Sequence, residues 1–171
     1  RGWYDTVNNT SLLLDRSQVV SGDRILTGDS IAYNRELGFG EAFGNMSLQD
    51  TAQHVMLEGQ YGFYNEKTEY AFATDSARFL EFSQGDTILI FMNDSSIDFA
   101  HVKQFAFAIQ QIDSTAFNQL KGNDLKAYFE GQVVNQIDVS GNAESIFFPL
   151  EKDGSMVGMN ETKSGFLTIW L

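Results

Sequence analysis

The chain contains no cysteine. Disulfides, thiol nucleophiles and cysteine-type zinc sites are excluded together by that one absence. It says little about compartment, since many exported proteins lack disulfides. Proline occurs once, at Pro149, which leaves the 15 glycines as the main punctuation. Basic residues are few: 11 Lys and Arg stand against 23 Asp and Glu, a formal net charge of −12. A nucleic-acid partner needs Lys and Arg to displace counterions from phosphates, and neither basic clusters nor Gly-rich phosphate loops are present, so nucleic acid is excluded. No apolar run approaches the length of a membrane-spanning helix. No signal peptide is recognisable either, and Arg1 opens directly onto "GWYDT", which reads as a strand already under way. The expectation is a chain trimmed at its N-terminus, its targeting segment removed.

What the chain has in quantity is phenylalanine, 15 copies in 171 residues, within an aromatic content of 13% and a hydrophobic content of 43%. Aromatic and β-branched segments punctuated by Gly, Asn and Asp predict an all-β protein. The length suits a single domain spanning residues 1–171 with a sizeable core. Three stretches repeat an Ala-Phe-small phrase in strict small/large alternation: "EAFGN" (41–45), "YAFATD" (70–75) and "FAFAIQ" (105–110). A period of two is the signature of a strand whose side chains point alternately to opposite faces.

These phrases belong to a degenerate repeat. "LTGDSIAYN" (26–34), "LEGQYGFYN" (57–65), "SQGDTILIFMND" (83–94) and "LKGNDLKAYFEG" (120–131) each pass through a glycine into a short strand. In the first two, Tyr-Asn follows five residues past the glycine, and a charged turn, "RELG" or "EKTE", comes next. A fragment from 156 to 171 restarts the pattern at Gly158. Such units read as hairpins or meanders, with glycine permitting a bend or bulge where the chain turns a corner. Stacked, they predict a twisted sheet of antiparallel strands folding over as a β-jelly roll. Strands are expected at 31–33, 41–46, 61–64, 70–74, 87–92, 105–110, 133–140 and 143–148. Residues 113–129 also fit a helical spacing, and one helical turn at 114–120 is compatible with it.

Alternation also assigns faces. Phe43, Phe72, Phe105 and Phe107 are expected inside, with Ala42, Ala71, Ala106 and Ala108 facing away. In 133–148, Val133, Ile137, Val139, Ala143 and Phe147 form the dry side, and Gln136, Asp138, Ser140, Asn142 and Glu144 the wet side. "TILIFM" (87–92) is apolar on both faces and predicts a covered strand or the lining of a non-aqueous groove.

Catalytic patterns are missing. His54 and His101 are isolated, and neither a G-x-S-x-G elbow nor H-E-x-x-H occurs. "NDSSID" (93–98) offers Asp94 and Asp98 to a cation but lacks the ligand series of a calcium loop, so a polar turn is the better reading. No enzyme, catalytic residue, metal site or cofactor is expected.

The run from "LTGDSIAYN" to "YAFATDSA", with "HVKQFAFAIQQIDS", "FNQLKGNDLKAYF" and "IDVSGNAESIFFPLEKDGSMVGMN", resembles the OstA-like proteins, relatives of the periplasmic lipopolysaccharide-transport protein LptA. The resemblance covers nearly the whole chain. It implies a β-jelly roll whose apolar groove carries lipid A acyl chains toward the outer membrane of a Gram-negative cell. It also implies a periplasmic location, associated with that membrane, and edge-to-edge pairing with other jelly-roll transport modules. The partner would be lipopolysaccharide or a related acylated glycolipid. Given the acidity of the chain, phosphate-bearing head groups are expected outside the groove or bridged by divalent cations. Candidate groove residues are Ile31, Tyr33, Tyr61, Phe63, Leu89 and Phe91, which recur after the repeat glycines. Two other readings stand beside this one. The first is a scaffolding β-protein that binds other chains through its sheet edges; the second is a carbohydrate-binding jelly roll using Trp3, Tyr4 or Tyr64 as stacking platforms.

Overall fold

In the computed structural model, residues 1–52, 54–79, 83–93 and 96–171 are described. Among them, eleven antiparallel strands form one open sheet in sequential order: β1 (Gly2–Asp5), β2 (Thr10–Ser21), β3 (Arg24–Asn34), β4 (Phe39–Asp50), β5 (Val55–Asn65), β6 (Tyr70–Phe79), β7 (Ser83–Met92), β8 (Ile97–Gln111), β9 (Phe117–Glu130), β10 (Val133–Phe147) and β11 (Asn160–Trp170). Every strand pairs only with its neighbours in the chain, so the topology is a meander. The crossovers of a jelly roll do not occur in it. The expected strands all fall inside these elements except Phe148, and 133–140 with 143–148 belong to one long strand, β10. The whole of β2, "TSLLLDRSQVVS", went unread.

No helical turn forms at 114–120. The Asp113 carboxylate instead accepts hydrogen bonds from the Thr115 and Ala116 amides at 2.6 and 2.8 Å, and the strand resumes at Phe117. An Asx turn therefore competes successfully with the helix. Asn34 and Asn65 act in the same way, accepting the amides of Leu37, and of Lys67 and Thr68, which explains the recurrent Tyr-Asn ahead of the charged turns. Among the described residues no helix is long and apolar enough to cross a membrane.

A line of bulges crosses the sheet at mid-strand. The even strands carry two successive residues with left-handed backbone: Asp15-Arg16, Gly44-Asn45, Asp75-Ser76, Gln104-Phe105 and Gly141-Asn142. Opposite them, at each register shift, stand the repeat glycines Gly28, Gly59, Gly85 and Gly122 of the odd strands. Their role is close approach. A Cβ at Gly85 would lie 2.5 Å from a Val102 methyl, and one at Gly122 equally close to Val139. In β11 the corresponding place is Ser164-Gly165, beside the Ser140/Ala143 shift, so the repeat resumes there and not at Gly158, which precedes the strand.

These bulges bend the long strands, β2 to β11, so that their two halves face each other. Arg24 lies nine residues before Tyr33 on β3, and Tyr33 shares a cross-strand row with Gly40 and Tyr64. In a straight sheet Arg24 and Tyr64 would be about 30 Å apart. Yet the Arg24 guanidinium donates to the Tyr64 hydroxyl and reaches the Glu69 carboxylate at 3.9 Å. We call the half bearing the turns at 35–38, 66–69 and 131–132 the upper half, and the other the lower.

The expected placing of Phe and Ala is reversed. Ala42, Ala71 and Ala106 are fully buried and Ala108 packs on the core, whereas Phe43 is 42% and Phe105 84% exposed. The outer face carries a chain of rings, Phe43, Tyr61, Phe72, Phe63, Tyr70, Phe91, Phe99 and Tyr128, with successive centroids 4.9–5.9 Å apart. Two sheet faces packed about 10 Å apart accommodate small residues opposite large ones, and leave no room for facing rows of rings. Outside, each ring covers its cross-strand neighbours. In β10, Val139 and Ala143 are buried as expected, but Val133 is exposed at the strand end.

Phe105 is the outlier of the bend. Left-handed backbone costs a non-glycine residue about 1–2 kcal/mol, and the equivalent places hold Arg16, Asn45, Ser76 and Asn142. Phe105→Asn, which suits that conformation, is expected to raise unfolding stability by about 1 kcal/mol in urea titration. An unchanged or lower midpoint would contradict the strain.

Candidate functional site

The two halves meet differently along the sheet. Between β3 and β7 the space is filled: Ile31, Met46, Leu57, Ile88 and Ile90 are essentially inaccessible. A void of about 20 Å³ lies between Val19, Leu26 and Leu48 of the lower half and Tyr33, Gly40 and Tyr64 of the upper. A polar clasp closes the rims above it. Arg24 holds Asp50 at 3.0 Å, lies 5.1 Å from the Tyr64 ring centroid, and bonds its hydroxyl. Burial opposes the charge on Arg24, but the Asp50 hydrogen bond and the fields of Tyr64, Asp50 and Glu69 outweigh it, and its pKa is raised. Burial is also the main reason the Tyr64 hydroxyl is pushed up to about 12.

Between β8 and β11 the halves stand apart around a groove of about 710 Å³. One wall is upper-half backbone carrying Ala100, Val102, Leu125, Ala127, Val134 and Ile137; the other carries Ala108, Leu120 and Ile146. Toward the rims lie the uncharged Gln110, Gln111, Asn118 and Gln132. Among the described residues no charged side chain lines it. Asn118, itself buried, is satisfied: its amide donates to Gln110 and its carbonyl accepts from the Phe148 amide. Gln and Asn at the rims with aliphatic walls make a slot suited to an uncharged, apolar, extended occupant of ordinary ligand size.

The six candidate residues read from the sequence do not come together. Ile31 is buried in the filled part of the core, and Tyr33 borders the small void. Tyr61, Phe63 and Phe91 belong to the outer ring chain, with Leu89 between Phe72 and His101 in the same register row. Tyr64 is buried in the clasp, whereas Trp3 and Tyr4 are exposed on β1. The groove residues of β8 to β11 were not singled out. Their signal lay in the inward row three and five residues past Gly122, at Leu125 and Ala127.

Other polar groups are spread out. His101 sits on the outer face with Nε2 3.0 Å from an Asp124 oxygen; burial lowers its pKa against the pull of that carboxylate. Asp98 is exposed, and Asp94 lies outside the described residues. Among the described residues no group of three or more His, Asp or Glu could hold a metal ion. No protein-family model and no curated protein sequence matches the chain.

Proposed function

We propose that this chain is a non-enzymatic lipid carrier of the OstA-like kind, a periplasmic module that holds the acyl chains of lipopolysaccharide or a related glycolipid on their way to the outer membrane. The observation that carries this reading is the uncharged groove of about 710 Å³ between the sheet halves. Its aliphatic walls would bind methylenes at about 0.8 kcal/mol each, and no side chain needs an unusual protonation state. Head groups, with their phosphates, stay outside an acidic protein.

The sheet edges supply the means of joining other modules. Among the described residues β11 is the last strand on one side, and Phe166 and Trp170 are exposed along it. On the other, β1 pairs with Thr10–Leu13 of β2. Unpaired edges are templates for strand addition.

Titration with a fluorescent C18 fatty acid and with lipid A tests the reading. Val134→Asp and Ile169→Asp, which place a carboxylate in the groove, should weaken binding at least about tenfold, with the strand spectrum of the parent retained. Phe91→Asp, on the outer face, should leave affinity unchanged. If the parent protein binds neither probe, the scaffold reading through the sheet edges replaces this one.

A further inference from the structure

We propose that Phe79 is the end wall of the groove and sets the length of acyl chain it accepts; the proposal rests on the acyl-chain reading above. Phe79 and Ser83 are the only described lining residues that precede Ala100 in the chain, so the cavity stops at β6 and β7. Phe79 is 3% exposed and stands opposite Leu57 on one side and Ser83 on the other. Beyond it, on β5, β4 and β3, the buried Leu57, Met46 and Ile31 leave no space. The clasp of Arg24 on Tyr64 and Glu69 holds the rims together on that same side. At the other end the groove reaches Ile169 and Leu171, at the last strand of the sheet. It is therefore blind at Phe79 and runs from there toward β11. An acyl chain lying along it runs past Ile137, Leu125 and Ala108 and ends against the ring.

A blind groove ranks its ligands by length. Affinity rises with each methylene until the chain end meets the wall, and further carbons then stay in water and add nothing. Removing the ring should extend the rising part. The measurement is displacement of a fluorescent fatty acid by saturated fatty acids of graded length. For the parent, affinity should climb and then level off. For Phe79→Ala the levelling point should move to chains about two to four carbons longer, the longer chains gaining about tenfold. Ala108→Leu adds bulk beside Phe79, since Ala108 pairs with Ser83 in the same row. It should move the levelling point to shorter chains. Should Phe79→Ala lose the strand spectrum of the parent, Phe79→Leu and Ala108→Leu carry the comparison. Levelling points that coincide in all variants, with binding intact, overturn the end wall and leave the acyl reading standing. A parent that binds no fatty acid at any length overturns both.

Discussion

Gly62→Ala is expected to lower unfolding stability by about 3 kcal/mol, at the upper end of what overpacking costs. A Cβ at this position would lie 2.3 Å from the Phe72 carbonyl oxygen and 3.0 Å from the Met46 methyl. The methionine can swing aside, but the carbonyl belongs to the neighbouring strand, where Gly62 pairs with Ala73. Relief requires β5 and β6 to separate at a place where both inner faces are buried. Gly165→Ala is the matched control, because nothing lies within 4 Å of its Cβ position. Its effect should stay within about 0.5 kcal/mol. Urea titrations with unchanged slopes would measure both. Equal effects at the two sites would mean that the close approach at Gly62 is not a constraint.

Arg24→Met should cost a comparable amount, about 3 kcal/mol, because it strips a buried carboxylate and a buried phenol of their guanidinium. The side chains of Asp50 and Arg24 are 6% and 19% exposed, so solvent does little to replace the pair. Methionine keeps most of the stem packing, which separates loss of the ion from loss of bulk. The double variant Arg24→Met, Asp50→Asn should recover part of the loss, since the carboxylate deprived of the guanidinium is then neutral. A double variant less stable than the single would show that Asp50 is held mainly by other groups. The Ala52 amide, which donates to it at 3.1 Å, is one of them.

Most of the central strands and the repeat glycines were legible because alternation and glycine spacing are local signals, whereas the sequential order of the whole sheet was not, a jelly roll having been expected. Nor was the face that turned inward. Alternation says which side chains share a side, and when both rows are apolar, as in Ala71-Phe72-Ala73, it does not say which row is buried. The deciding signal was a change of phase. On odd strands the inward row jumps by three across the bulge, from Gly28 to Ile31, Gly59 to Gly62, Gly85 to Ile88 and Gly122 to Leu125. On even strands it continues by twos, as in Ala71, Ala73, Ala77 and Phe79, with Asp75 spent in the bend. Choosing Ile31 and Tyr33 on one strand but Tyr61 and Phe63 on the next crossed from one phase to the other. The candidate groove itself was illegible for a different reason. It exists because the upper and lower halves fail to close beyond β7, and residues facing each other across the fold carry no shared spacing in the chain.

Because each strand hydrogen-bonds only to its predecessor and successor, the molecule is close to one-dimensional, and its free energy approximates a sum over hairpins and the seams between them. A hairpin can be gained or lost in evolution without rerouting any other connection. The bend line keeps such an insertion in phase, since every unit brings its own glycine and its own left-handed pair. Chain length then converts directly into breadth of sheet, and thus into how much interior the fold encloses. Contacts that close early in folding are nearly all between adjacent segments, so the loop entropy to be overcome at each step is small and does not grow as further units are added.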